Sequence, residues 1–336
     1  MASIPSTQKQ WTVTGTGKAF ETLTLDPSAA VPVAGAHEVL VRMRAASLNF
    51  RDLIIPRGKY PFATKFPVVA ASDGAGEVVG IGEKVTRWQV GDRVAVLFHQ
   101  EHLYGPVTPE AAGTGVGGVV DGTLRQYAVF NEAGLVRAPK NLSWAEASTL
   151  TCAGVTSWNA LYGLRALRPG ETVLVQGTGG VSLFALQFAK AAGATVIATT
   201  STKDKEELLK KLGADHVLNY KEDENWGETA KKLTGGAGVD HVIEVGGAAT
   251  LGQTLKAIKF EGIISIIGFL GGVNAPEASL IQCLSHVCTA RGVYVGSRQQ
   301  MEEMVTAMEV NDIHPVVDPK VFTLEQTKEA YEYQVS

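Results

Sequence analysis

Residues 177–182 carry the pattern with the clearest chemistry: Gly177, Thr178, Gly179, Gly180, Val181 and Ser182 follow an apolar run and open a segment of helical period. This arrangement suits the pyrophosphate of a dinucleotide. Gly177 makes the tight turn, and Gly179 removes the Cβ that would hold the backbone off the phosphates. The helix start offers unpaired N–H groups and the positive end of its dipole. Ser182 stands where the fingerprint has a third glycine and is small enough for helix–strand packing. The motif alone is weak. A strand before it, a helix after it and a second strand beyond supply the context it needs, with a ligand-free glycine turn as the competing reading.

The end of the second strand selects the cofactor. An acid there would bind the ribose 2′-hydroxyl of NAD. This chain instead reads Thr199-Thr200-Ser201-Thr202-Lys203-Asp204-Lys205. The hydroxyls of Thr200 and Ser201 and the amine of Lys205 suit a 2′-phosphate, so the expected cofactor is NADP(H). Asp204 reads as the opening of the next helix, and the lysines would equally suit a solvated face.

The elements that must position these residues are legible from patterning. Up to about residue 140 the chain reads as β-rich. Strands are expected over 38–43, 74–80, 93–98 and 123–130, with a glycine-rich loop over 113–122. Ser143 and Glu146 then match a capped helix start. Beyond it, strands at 172–176, 195–199, 216–218, 239–245 and 262–268 alternate with helices at 181–192 and 205–212. Short apolar strands between helices mean a parallel sheet covered on both faces.

Bulk composition narrows the function classes. The chain has 336 residues, enough for two domains. A net charge of −4 without a basic stripe argues against nucleic acid. The longest apolar stretch, 263–270, is far short of a membrane span. Three cysteines and no apolar signal core point to a cytoplasmic protein with reduced thiols and a small-molecule substrate.

Several motifs together resemble the zinc-independent medium-chain dehydrogenases/reductases, close to the quinone oxidoreductases. They are Ser47-Leu48-Asn49-Phe50-Arg51-Asp52, Gly74-Ala75-Gly76-Glu77-Val78, Gly91-Asp92-Arg93-Val94, Cys152-Ala153-Gly154-Val155-Thr156-Ser157-Trp158, and Val173-Leu174-Val175-Gln176 before the glycine turn. The resemblance spans nearly the whole chain. It implies an α/β fold: a GroES-like β-barrel catalytic domain (1–143), a Rossmann doubly wound parallel sheet (144–297), and a return to the first domain (298–336), with the cofactor in the cleft between domains. It further implies that Thr156 lies near the nicotinamide, that Ser201 and Lys205 hold the 2′-phosphate, and that Tyr220 lies beside the adenosine phosphate. Gly246 and Gly268-Phe269-Leu270 would line the cofactor from the strand ends.

Zinc-dependent relatives place a Cys, a His and a Cys where this chain has Asn49, Ser72 and Cys152. One ligand of three survives, whereas zinc needs three protein ligands plus water, and the four cysteines of a structural zinc lobe are missing from 99–122. No metal is therefore expected. His99 and His102 read as surface or loop histidines, and Cys152 as a small buried packing residue. Without zinc, hydrogen-bond donors must stabilise the developing enolate. The candidates are Asn49, Arg51, Asp52 and Tyr60. Each has a structural alternative: a turn contact for Asn49, an ion pair for Arg51 and Asp52, simple packing for Tyr60.

The leading expectation is an NADPH-dependent reductase of an activated C=C bond or a quinone. A zinc-independent alcohol/carbonyl oxidoreductase, a biosynthetic enzyme without net redox and a non-catalytic binder remain alternatives. The 99–122 loop is expected to shape the substrate pocket as a mobile lid or to be plain surface. The apolar stretches at 263–267 and 292–295 match the place where similar proteins join two Rossmann sheets, so the resemblance implies a homodimer, with ordinary core strands as the alternative. Similar proteins continue past the helix at 324–333 with a further strand. This sequence ends at Ser336, leaving a trimmed sequence, a disordered end or an absent strand as explanations.

Overall fold

The computed structural model describes residues 4–269, 279 and 281–335. The chain divides into two compact units, Met1–Val155 with Gly296–Ser336, and Thr156–Val295.

The first unit holds strands β1 (Thr7–Val13), β2 (Leu23–Ala30), β3 (Glu38–Ser47), β4 (Val68–Val69), β5 (Asp73–Ile81), β6 (Arg93–Val96), β7 (Tyr127–Asn131) and β8 (Leu135–Arg137). They form a three-stranded sheet, β2-β1-β4, and a five-stranded sheet, β7-β3-β5-β6-β8. All pairings are antiparallel, in the curled arrangement expected of a GroES-like barrel. Val39, Val41, Val78, Val94 and Val96 alternate inward and pack against Phe130 and Leu135. A second cluster joins Trp11, Phe20 and Leu53 to Tyr331 of the helix Thr327–Val335, with the Phe20 and Tyr331 rings edge to face at 5.2 Å. The β3–β5 register pairs Ser47 with Asp73 and so brings the chain entering residue 49 alongside Asp73.

Two expectations for this unit shift. The strand expected at 123–130 begins only at Tyr127. Gly122, Thr123 and Leu124 instead donate their N–H groups to the carbonyls of Val69, Ala71 and Ala70. A Cβ at Gly122 would meet the Ala71 oxygen at 2.1 Å, so this close approach requires glycine. The 99–122 loop also contains a short helix, Pro109–Ala112, whose first turn is capped by the Thr108 hydroxyl.

The second unit holds β9 (Thr172–Gln176), β10 (Thr195–Thr200), β11 (His216–Asn219), β12 (Val239–Glu244), β13 (Ile258–Ile266) and β14 (Thr289–Gly292). They pair in parallel in the order β11-β10-β9-β12-β13-β14. This is the doubly wound Rossmann order, and its topological switch lies between β9 and β12. Leu174, Val242 and Ile264 are fully buried, as a sheet covered on both faces demands. The helix after the glycine turn runs Gly180–Ala191 and buries Leu183, Leu186 and Phe188, the face expected. The next helix, Lys203–Lys211, starts earlier than expected, with Thr202 as N-cap and Asp204 in the first turn. The edge strand ends at Gly292, so the apolar stretch 292–295 begins where pairing stops. Among the described residues, no helix is long and apolar enough to cross a membrane.

Candidate functional site

In the second unit, β9 ends at Gln176 and the chain turns at Gly177 with φ +72°, a conformation that favours glycine. A Cβ built at Gly177 or Gly179 meets no atom within 4 Å. The turn thus faces open space that side chains at these positions would fill. Thr178 lies inside the turn, Gly179 is the helix N-cap, and Gly180, Val181 and Ser182 form the first turn. Ser182 Oγ donates to the Gln176 carbonyl at 2.6 Å. A serine in place of the third glycine therefore ties the helix start to the strand end.

At the end of β10, Thr200 is buried and its hydroxyl has no hydrogen-bond partner among the described residues. The Thr200 carbonyl accepts the Tyr220 N–H at 3.0 Å, bringing Tyr220 beside Thr200 and Ser201 with its ring exposed. Lys205 is exposed on the helix Lys203–Lys211. Gly246 follows β12, and a Cβ there would meet Thr250 Oγ1 at 2.3 Å. The Gly268 N–H donates to the Glu244 carbonyl at 3.2 Å, and Phe269 follows it. Thr156 is buried within the helix Val155–Tyr162. Leu270 lies outside the described residues.

In the first unit, Asn49, Arg51, Asp52 and Tyr60 come together around a buried charge cluster. Asn49 is the N-cap of the helix Phe50–Ile54, and its N–H donates to Asp52 Oδ2 at 2.7 Å. Arg51 donates from Nη1 to the Val116 carbonyl at 3.0 Å and from Nε to the Tyr60 hydroxyl at 3.3 Å. Its guanidinium faces Asp52 at 3.4 Å and lies over the rings of Tyr60 and Phe98 at 5.0 and 4.8 Å. Burial pushes Asp52 up to about 6, against the pull of Arg51 and of the Asn49 N–H.

Asp73, at the start of β5, is fully buried within the same group. Ser72 Oγ donates to its Oδ1 at 2.6 Å, and the Cys152 N–H donates to its Oδ2 at 3.0 Å. Cys152 lies in a π-helical turn, Leu150–Gly154, that lies between two helical segments. Such a widened turn sends a backbone N–H outside the usual ladder, here to Asp73. The Asn49 carboxamide lies against the same carboxyl, yet its buried Nδ2 makes no hydrogen bond of good geometry. Burial pushes Asp73 up to about 7; the Asp52 charge adds to this, while Ser72, Cys152 and Asn49 oppose it.

Comparison with known proteins places this geometry. The model described as an alcohol dehydrogenase GroES-like domain matches residues 35–140, and the one described as a zinc-binding dehydrogenase matches residues 180–309. A zinc-type alcohol dehydrogenase-like protein of Schizosaccharomyces pombe is 50% identical over 304 residues, covering 89% of this chain and 88% of the relative. The chain belongs to the medium-chain dehydrogenase/reductase family. Within this family, a 2-methylene-furan-3-one reductase of Solanum lycopersicum is 32% identical over 98% of this chain and 77% of its own length. The solved quinone oxidoreductase of Pseudomonas syringae pv. Tomato DC3000 matches with a TM-score of 0.80 at 26% identity, covering 97% of this chain and 95% of that one.

Some expectations for this medium-chain oxidoreductase need correction. His99 and His102 lie in the loop after β6, one of the two readings, but both are buried and not at the surface. The chain leaving β6 dives inward, and burial pushes His99 down to about 3, helped by the His102 and Arg51 charges. His102 Nε2 lies 2.9 Å from the Gly105 carbonyl. Cys152 is only partly buried, and it contributes its backbone to Asp73. Sequence reasoning passed over Asp73 and Glu244. Their one signal was an acid opening or closing a strand, where acids are depleted. Among the described residues, no group of three or more His, Cys, Asp or Glu side chains is arranged to hold a metal ion.

Proposed function

We propose that this chain is an NADPH-dependent reductase that works without zinc and reduces an activated C=C bond or a quinone. The observation carrying this reading is the Asn49 carboxamide, whose buried Nδ2 lies against the Asp73 carboxyl without a well-formed hydrogen bond among the described residues, beside Arg51 and Asp52. Such a donor is matched to an oxygen that gathers negative charge during reduction.

The residues at the zinc-ligand positions do not fit a metal. Asn49 offers an amide, and the Ser72 hydroxyl is engaged with Asp73, a bond that leaves Cys152 as the one thiolate candidate. The second unit supports a nicotinamide dinucleotide: the cradle at Gly177 and Gly179 is one that a Cβ would fill, and the buried Thr200 hydroxyl has no partner among the described residues. Thr178, Gly180, Val181 and Ser182 would face the pyrophosphate. Ser201 and Lys205 would take the 2′-phosphate and Tyr220 the adenosine side. Thr156, Gly246, Gly268, Phe269 and Leu270 would line the remainder.

When bound, the reduced nicotinamide supplies hydride. Asn49 Nδ2 donates to the substrate oxygen as charge develops there, and the Arg51 guanidinium adds a fixed positive charge nearby. Asp52 and the facing rings hold that guanidinium in place. The bond from Arg51 to the Tyr60 hydroxyl fixes that hydroxyl beside the cluster, where it is the proposed proton donor to the product.

The name of the tomato relative, a reductase of a methylene furanone, supports C=C reduction. The alcohol dehydrogenase naming of the yeast relative favours C=O reduction as the second reading. The test is a panel of enones, quinones and ketones with NADPH and NADH on metal-free protein. The proposal expects NADPH consumption with enones, giving a saturated ketone, or with quinones, giving a hydroquinone. Turnover that requires added zinc, or that reduces ketones alone, would overturn it. A homodimer is also proposed. Among the described residues the edge strand β14 pairs on one side only, and Phe260, Ile281 and Leu284 expose apolar surface. Analytical ultracentrifugation checks it.

A further inference from the structure

The two strands that flank the topological switch, β9 and β12, end in buried polar residues, Gln176 and Glu244, whose side chains bond to each other. Glu244 Oε2 accepts from Gln176 Nε2 at 2.8 Å and from Thr254 Oγ1 at 2.5 Å. Its Oε1 accepts from the N–H groups of Gly246 and Gly247, both at 2.9 Å, and from Thr250 Oγ1 at 2.5 Å. Two oxygens that take five donors leave no room for a donor of their own. Gln176 Oε1 accepts the N–H groups of Val245 and Gly246 at 3.1 Å, and its Nε2 also donates to Thr254 Oγ1 at 2.9 Å. The N–H groups of residues 245–247 are thus all held by these two side chains. The Gln176 carbonyl meanwhile takes the Ser182 hydroxyl at the glycine turn.

The held loop leads into the 3-10 turn Gly247–Ala249 and contains two glycines. Gly247 has φ +74°, and Gly246 has no room for a Cβ. Two adjacent glycines lose much chain entropy on ordering, so such a loop needs external bonds to stay in one shape. We propose that Gln176 and Glu244 are a positioning pair that pre-forms the 245–247 loop and locks it to the glycine turn. Dinucleotide affinity is then set partly by two buried residues that touch no ligand. This rests on the cofactor assignment made above. Apparent affinity falls in proportion to the fraction of molecules whose loop is formed.

Donor and acceptor counting supplies the test. Glu244→Gln puts an amide NH2 against the loop N–H groups or against Gln176 Nε2, donor facing donor. Gln176→Glu puts two carboxylates face to face. The reciprocal double variant, Gln176→Glu with Glu244→Gln, restores the count if the Thr254 hydroxyl reverses its direction. Each single variant is expected to raise the NADPH Kd, read by fluorescence titration, about tenfold, and the double variant to return to within about threefold of wild type. Amide hydrogen exchange over residues 245–250, measured without cofactor, should speed up about tenfold in the single variants and recover in the double. Thr254→Val, which removes one donor at similar shape, should raise the Kd about threefold and guards against singles that do not fold. Folded single variants that bind NADPH and exchange like wild type would overturn the proposal, as would a folded double variant no better than the singles, or no change in Thr254→Val. A wild-type protein that binds neither NADPH nor NADH would overturn the cofactor assignment instead, and the exchange measurement would still judge the loop.

Discussion

The Arg51 guanidinium donates to the Tyr60 hydroxyl at 3.3 Å while lying over the same ring at 5.0 Å. One cation thus fixes both the face and the polar tip of the tyrosine. Its remaining contacts, Asp52, the Val116 carbonyl and the Phe98 ring, leave it no other seat. A lysine cannot reproduce a planar, stacked and forked set of contacts. Arg51→Met should cost about 3 kcal/mol at pH 8, since it strands a buried Asp52. The cost should be smaller at pH 5, because a carboxyl already raised to about 6 takes up a proton there. Thermal unfolding of both proteins at the two pH values reads the difference.

Asn49→Ala tests the oxygen-stabilising donor. Loss of one such donor lowers kcat by about a hundredfold, with KM changed far less. The cost in stability should stay near 1 kcal/mol, as for an ordinary N-cap. Steady-state kinetics on whichever enone or quinone turns over would give the split. An unchanged kcat would remove Asn49 from the chemistry.

Asp73 makes stability depend on pH in a stated direction. Its folded pKa, about 7, stands above the value of about 3.9 for an unfolded aspartate. The folded state therefore binds the extra proton between these values. The stabilisation is complete below about pH 4 and is lost as pH rises through about 7. At about 1.4 kcal/mol for each tenfold change in proton affinity, the gap between the two values sets an upper limit of about 4 kcal/mol. Asp73→Asn, which imitates the protonated acid, should flatten this part of the profile. Urea melts at half-unit pH steps would show a wild-type-minus-variant difference that grows towards pH 8; a constant difference would refute the assignment.

Cofactor choice is tested at the end of β10. Ser201→Ala and Lys205→Ala should each weaken NADPH about tenfold and leave NADH unchanged, because both groups are proposed to meet the phosphate alone. Ser201→Asp should favour NADH by placing an acid where the ribose hydroxyls lie. Titrations with both cofactors decide this. Equal losses for both would mean that these residues support the loop and do not read the phosphate.

The amino-acid sequence by itself determined what depends on neighbours along the chain. Strands β9 and β10, the glycine turn, the helix behind it and the Ser143–Glu146 cap all follow from local periodicity and capping, whose partners lie within a few residues. The motif around Asn49, Arg51 and Asp52 was legible through its resemblance to the medium-chain dehydrogenases/reductases. Only the tertiary structure decided which of these side chains share a site. Asp73 meets Cys152 across 79 residues and Gln176 meets Glu244 across 68, each through strand register or strand order. The burial of His99 escapes local patterning because it depends on where the chain goes after β6. A buried acid costs free energy unless distant donors converge on it. Those donors are invisible to any short window of sequence, and supplying them is what the fold adds.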